Sequence, residues 1–164
     1  MVTIIGIDPG SRITGYGIIE SNGQKHRFVA CGSIKVTEKK LDLRLQQIFD
    51  GIREAIFTHQ PEEASVEQVF MHVNPGGALK LGQARGAAIV ACAIHAMPVA
   101  EYAARQIKQS VVGYGAAKKD QVQHMVKTIL NLTTVPQTDA ADALAAAICH
   151  AHARKLKNML ADVK

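Results

Sequence analysis

Four acidic residues sit in apolar surroundings: Asp8, Glu67, Asp139 and Asp142. Asp8 closes the run Val2-Thr3-Ile4-Ile5-Gly6-Ile7, and Glu67 interrupts Ala64-Ser65-Val66-Glu67-Gln68-Val69-Phe70. The other two lie in Asp139-Ala140-Ala141-Asp142-Ala143-Leu144-Ala145-Ala146. Carboxylates are rarely buried unless they are paired or bound to metal. Brought together, the four would repel one another and require cations to offset the charge. An all-oxygen donor set suits Mg²⁺ or Mn²⁺. Two such ions about 3.5–4 Å apart could support hydrolysis of a phosphodiester, one activating water and one stabilising the leaving oxygen.

Each acid alone also fits an ordinary structural role. Asp8 before Pro9-Gly10 could be a turn residue. Glu67 could face water from a strand, Asp139 could cap a helix, and Asp142 could favour its first turn. Only a fold that gathers all four would give them a joint chemistry.

The elements that would have to do so can be read along the chain. Val2 to Asp8 is β-branched and apolar, and Pro9-Gly10-Ser11 ends it. Ile13 to Glu20 predicts a second strand, Asn22-Gly23 a hairpin turn, and Phe28 to Val36 a third strand. Leu41, Leu45, Ile48, Ile52 and Ile56 recur at helical steps within a helix predicted from Lys40 to His59. Ala64 to Phe70 reads as a fourth strand, Gly77 to His95 as a buried helix and Pro98 to Tyr102 as a fifth strand. Helices are predicted over Ala103 to Val112, Lys118 to Leu132 and Thr138 to Lys157. The order predicts one α/β domain over 1–164, with a mixed five-stranded sheet flanked by helices. Asp8 and Glu67 would then end adjacent central strands, and Asp139 and Asp142 would share one helix face.

Composition narrows the setting. Of 164 residues, 48% are hydrophobic and 20% charged, which excludes a disordered chain. There is no run of about 18 apolar residues and no basic stretch ahead of the first apolar one, so the expectation is a soluble, cytoplasmic protein without membrane association. Cys31, Cys92 and Cys149 are widely spaced and read as reduced core thiols. The formal net charge of +5 favours an anionic partner such as nucleic acid. Lys80, Arg85, Lys108 and the pair Lys118-Lys119 are spread out, as for a basic surface assembled in three dimensions. The stretch from Arg154 to Lys164 reads as a solvated helix end or a mobile arm.

Five collinear blocks carry a family resemblance. Gly6-Ile7-Asp8-Pro9-Gly10-Ser11-Arg12-Ile13-Thr14-Gly15-Tyr16-Gly17 resembles the N-terminal signature of the RuvC family of Holliday-junction resolvases. Glu67-Gln68-Val69-Phe70, Leu79 to Gly86, Glu101 to Lys108 and Asp139 to Ala145 follow in the family's order. The resemblance implies an RNase H-like fold and a homodimer that places two acidic sites on one four-way DNA junction. It implies paired nicks made with Mg²⁺, two ions per subunit, with Mn²⁺ as a substitute, leaving 5′-phosphate and 3′-hydroxyl ends. It also implies a preference for a short T-rich sequence, cooperation with the RuvAB branch-migration complex, and a place in recombination and repair. By motif match, Asp8, Glu67, Asp139 and Asp142 become metal ligands and catalytic residues, and Lys108 and Lys119 phosphate contacts. Phe70 becomes a wedge at the junction centre; Lys80 and Arg85, from the spread of cations along the chain, are expected on the same DNA-binding surface.

One departure stands out. Family members commonly carry Ser or Thr ahead of the second helix, where this chain has Asn74-Pro75-Gly76-Gly77, so a lost side-chain cap is expected. Gly82 and Gly86, with Ala84, Ala87 and Ala88, give a helix surface for close approach, to the chain's own sheet or to a second copy. His150 and His152 are two apart on a helix and read as surface residues. Competing functions are half of an actin-like or sugar-kinase-like ATPase, whose two-domain plan exceeds this length, and a junction-binding scaffold without catalysis.

Overall fold

Val, Thr and Ile recur through β1 (Val2–Asp8) and β2 (Ile13–Ser21), where branched side chains suit a pleated surface. The computed structural model describes residues 1–70 and 74–161. Asn22 Oδ1 accepts hydrogen bonds from the backbone N–H groups of Gln24 and Lys25, at 3.0 and 2.8 Å. Gly23 adopts a left-handed φ of 84°, and the predicted turn leads into β3 (His26–Lys35). There follow α1 (Leu41–His59), β4 (Glu63–Glu67), α2 (Pro75–Ala93) and β5 (Val99–Tyr102). The chain closes with α3 (Ala104–Val112), α4 (Lys119–Ile129) and α5 (Thr138–Ala161).

The five strands form one sheet in the order β3-β2-β1-β4-β5. The first three are antiparallel neighbours, whereas β4 runs parallel to both β1 and β5. Strand periodicity divides the residues between two faces. Ile5, Ile7, Ile18, Ala64 and Val66 pack with Ile48 and Ile52 of α1 and Ala84 and Ala88 of α2. Val2, Ile4 and Ile19 pack on the opposite face with Leu144 and Ile148 of α5, Val111 of α3 and Val126 of α4. The sheet is therefore covered on both sides, with α5 across its centre.

Several boundaries differ from expectation, and three of them have a visible physical reason. β4 ends at Glu67 rather than Phe70, because its partner β5 stops at Tyr102 and the last cross-strand bond is Gln68 N–H to the Tyr102 carbonyl at 2.9 Å. α2 begins at Pro75, and Asn74 is its N-cap, accepting the Gly77 N–H at 3.1 Å. The expected loss of a cap is thus corrected: Asn replaces it, with Pro at the first helical position. Of the two alternatives for the stretch from Arg154, residues 154–161 form the solvated helix end: α5 runs on to Ala161, past the expected Lys157, and Arg154 Nε donates to Glu63 Oε1 at 2.9 Å. Among the described residues, no helix is long and apolar enough to cross a membrane.

Candidate active site

The period of two along β1 places Asp8 on the same face as Val2, Ile4 and Gly6, which is the face α5 covers. On β4, Ser65 occupies that face, its hydroxyl donating to the Ala146 carbonyl of α5 at 2.8 Å, so Glu67 two residues on does too. The parallel register pairs Ile7 with Val66, and Asp8 and Glu67 follow as the next residues of neighbouring strands. Both carboxylates thus leave the same end of the same sheet face.

Glycine lets α5 come down onto that end. A Cβ at Gly15 would lie 2.1 Å from the Asp139 carbonyl oxygen, and Gly15 is the cross-strand partner of Asp8. A Cβ at Gly6 would lie 1.9 Å from the Ala143 carbonyl oxygen, and one at Gly17 2.6 Å from Leu144 Cγ. Bare backbone on β1 and β2 therefore seats the first turns of α5, bringing Asp139 above Asp8 and Asp142 one helical step further on.

Electrostatics registers the convergence. Burial, then Asp142, Glu67 and Asp139, push the Asp8 carboxyl up to about 8, against the opposing pull of Lys119. Glu67 is raised by burial and by Asp142, with Lys108 and Lys119 acting the other way. Burial also raises Asp142, which Lys119 opposes most, at 3.7 Å from Lys119 Nζ to Asp142 Oδ2. Lys108 on α3 and Lys119 at the start of α4 thus flank the acids from two further elements. Among the described residues, no three His, Cys, Asp or Glu side chains are drawn tightly enough together to form a finished metal cage. The donor chemistry nonetheless fits a hard divalent cation: the set is all carboxylate, and after burial its own negative charge adds to the rise of Asp8.

The remaining predicted residues take varied places. Phe70 is exposed, just beyond β4. Lys80 lines a cavity with Ser11 and Arg12 of the β1–β2 turn. Arg85 is engaged within the chain, pairing with Glu101 at 2.7 Å and donating through Nε to the Glu67 carbonyl at 3.2 Å, so it clamps the ends of β4 and β5 to α2. His150 and His152 are corrected from surface residues to partly buried ones. His150 bridges Tyr102 Oη and Glu63 Oε2 at 2.8 and 2.7 Å. His152 meets Ser110 Oγ at 2.9 Å and His26 Nε2 at 3.2 Å. The three cysteines are free, Cys92 and Cys149 buried and Cys31 partly so.

Thr14 escaped notice in the sequence. Fully buried, its hydroxyl accepts the Gly10 N–H at 3.2 Å and donates to the Gly10 carbonyl at 3.0 Å, pinning the turn after Asp8. The available signal was a hydroxyl residue spaced four after the glycine of Asp-Pro-Gly.

Known proteins resemble this chain in sequence and in fold. The sequence model described as "Crossover junction endodeoxyribonuclease RuvC" matches residues 4–150. RuvC of Acinetobacter baumannii is 65% identical over 93% of this chain and 84% of its own length. RuvC of Colwellia psychrerythraea is 58% identical over 98% and 93%. Among solved structures, Thermus thermophilus RuvC in complex with a Holliday-junction substrate superposes with a TM-score of 0.89 and 32% identity, covering 96% of this chain and 97% of that one. The yeast mitochondrial resolvase Ydc2, at 11% identity and a TM-score of 0.65 over 98% and 86% of the two chains, shares the fold. The sheet order and flanking helices are the RNase H-like architecture expected from the sequence. On the family match across both carboxylate-bearing strands and most of α5, this chain belongs to the RuvC family of crossover junction endodeoxyribonucleases.

Proposed function

We propose that this protein is a Holliday-junction resolvase that introduces paired, symmetrical nicks in four-way DNA junctions during recombination and repair. The observation that carries the reading is the gathering of Asp8, Glu67 and Asp142 from three elements, with Asp139 over the Asp8–Gly15 pair and Lys108 and Lys119 beside them. The family match favours it over an ATPase half, and the buried acids favour it over a passive scaffold, where they would repel DNA without benefit.

Asp8, Glu67, Asp139 and Asp142 are assigned to hold two Mg²⁺ ions per subunit, with Mn²⁺ able to replace them. When bound, the metal supplies the Lewis acidity that phosphodiester hydrolysis needs at neutral pH, giving 5′-phosphate and 3′-hydroxyl ends. Lys119, whose side chain is 72% exposed, and Lys108 hold a backbone phosphate near the acids and stabilise charge that grows in the transition state. Buried carboxylates on rigid strands and a packed helix keep the reacting group in place. Phe70 supplies the face on which an unpaired base at the crossover stacks, a contact worth about 1–3 kcal/mol.

Paired nicks need two sites. Leu79, Gly82, Gly86 and Val90 recur at helical spacing on α2, Leu79 and Val90 exposed, and a Cβ at either glycine would meet nothing within 4 Å. That apolar, knob-free stripe supports a homodimer through α2. The RuvAB complex is the assigned partner and the cytoplasm the assigned compartment.

The test is a labelled four-way junction incubated with the protein and Mg²⁺, with products sized on a denaturing gel. Symmetrical nicks in two opposed strands, absent from a linear duplex of the same sequence, are expected. Equal cutting of both substrates would reject junction resolution, and no cutting in either Mg²⁺ or Mn²⁺ would reject the nuclease.

A further inference from the structure

A cavity of about 360 Å³ opens between the β1–β2 turn, α1 and α2. Ser11 and Arg12 come from that turn, Lys39 and Arg44 from the approach to α1 and its first turns, and Lys80 from α2, with Ile48 lining it as well. Four lining residues are cationic and none is acidic. Such a concentration of one sign repels itself and needs an anion to offset it.

The cations differ in a telling way. Arg44 is held, one guanidinium nitrogen donating to the Ser11 carbonyl and the other to the Glu38 carbonyl at 3.0 Å. Both acceptors are neutral, so the charge stays uncompensated while the side chain becomes a fixed wall. Arg12, Lys39 and Lys80 are exposed, and among the described residues no carboxylate lies in ion-pair reach of them. Four arginines elsewhere do find acids: Arg27 with Glu20, Arg53 with Asp50, Arg85 with Glu101, Arg154 with Glu63. The cavity therefore keeps its charge for something outside the chain.

Its place says what. Ser11 is three residues beyond Asp8, and Thr14 pins the intervening turn through both hydrogen bonds to Gly10. A DNA strand carries a negative charge about every 3.4 Å along its axis. A strand whose scissile phosphate lies at the acids thus carries further phosphates past this turn. We propose that the cavity formed by Ser11, Arg12, Lys39, Arg44 and Lys80 is a second phosphate subsite, gripping a backbone phosphate of the strand being cut at a fixed remove from the carboxylates. The proposal rests on the nuclease reading, and it makes Arg12, Lys39 and Arg44 positioning residues that set which bond reaches the acids.

The test uses the full chain with EDTA present and measures junction binding across a KCl series. Arg12→Ala, Lys39→Ala and Lys80→Ala alter exposed side chains, and the triple variant should lower the salt slope by about two to three units, near 0.9 per lost contact. Lys25→Ala, in the turn at the opposite end of β2, serves as the control and should leave the slope unchanged. A single neutral methylphosphonate is then walked along the strand. One position should weaken the wild type and leave the triple variant unaffected. A wild-type slope in the triple variant, or no such position, overturns the subsite. Inorganic phosphate and a mononucleotide are titrated in parallel by NMR. Tight binding of either, with an unchanged DNA slope, would make this a small-anion site and overturn the DNA assignment. Failure to prefer a junction over a duplex would sink the resolvase reading alone, since the slope change on duplex still reports the cavity.

Discussion

At the scale of single residues, the proposed assignment sets opposite demands on the acids, one for folding and one for chemistry. Asp8→Asn, Glu67→Gln and Asp139→Asn should each lower single-turnover cleavage about 10²-fold or more while leaving junction binding intact. Near wild-type cutting by any of them in Mg²⁺ would remove that residue from the site. Asp8 has a second signature. Its folded pKa of about 8 lies above the unfolded value of 3.8, so the fold holds the extra proton between them. Stability of metal-free protein should therefore be full below the unfolded pKa and fall as pH rises toward 8. Asp8→Asn should raise the Tm in EDTA, by more at pH 8 than at pH 5, and an equal gain at both would show that the proton is not linked to folding. Lys119→Ala should lower the salt slope by about one unit and cleavage by more than binding. The acids were legible in sequence because charge inside apolar runs is anomalous. Thr14 and Ser65 were not, since each looks like an ordinary hydroxyl residue until the carbonyl it meets is known, and for Ser65 that carbonyl is 81 residues away.

At the scale of elements, the glycines separate two kinds of helix surface. Gly15→Ala would drive a Cβ to 2.1 Å from the Asp139 carbonyl, forcing the first turn of α5 off β2. Overpacking of this kind typically costs about 1–3 kcal/mol, and cleavage should fall by more than that loss of folded protein explains. Circular dichroism melts beside cleavage rates will separate the two effects. Gly86→Ala on α2 meets no atom within 4 Å and should add about 0.5–1 kcal/mol of helix stability. If α2 is the dimer seam, the same change should weaken self-association in sedimentation, so the two signs differ. Sequence showed where glycine stands but not which backbone approaches it. It placed strands and helices well wherever periodicity was clean, as along β1 and α1. It ran β4 too far, because the end of a parallel strand is set by its neighbour β5 rather than by its own residues. Histidines 150 and 152 were misread for the same reason: their partners come from β3, β4, β5 and α3.

At the scale of the whole molecule, those histidines tie the far end of α5 to the sheet. A chain of contacts runs from Ser21 through His26 and His152 to Ser110, at 2.9, 3.2 and 2.9 Å. Burial and the neighbouring His152 lower the pKa of His26; burial lowers that of His152, with Lys155 adding to it and Ser110 opposing. Folded pKa values below the unfolded value of about 6.5 mean stability that is present above that pH and lost as pH falls beneath it. The pair's contribution, read as the urea-midpoint difference between wild type and His152→Gln so that the opposing Asp8 linkage cancels, should shrink between pH 7.5 and 5. A difference that does not change with pH would show that the pair does not titrate on unfolding. The same helix has a consequence for synthesis. Asp139 and Asp142 lie on the last helix, and α5 also covers the central strands. A nascent chain that has emerged only through α4 holds two of the four acids over an uncovered sheet face. On the proposed assignment, cutting has to wait until α5 has emerged and packed on the sheet, so a chain stalled ahead of Asp139 would lack the complete acidic set.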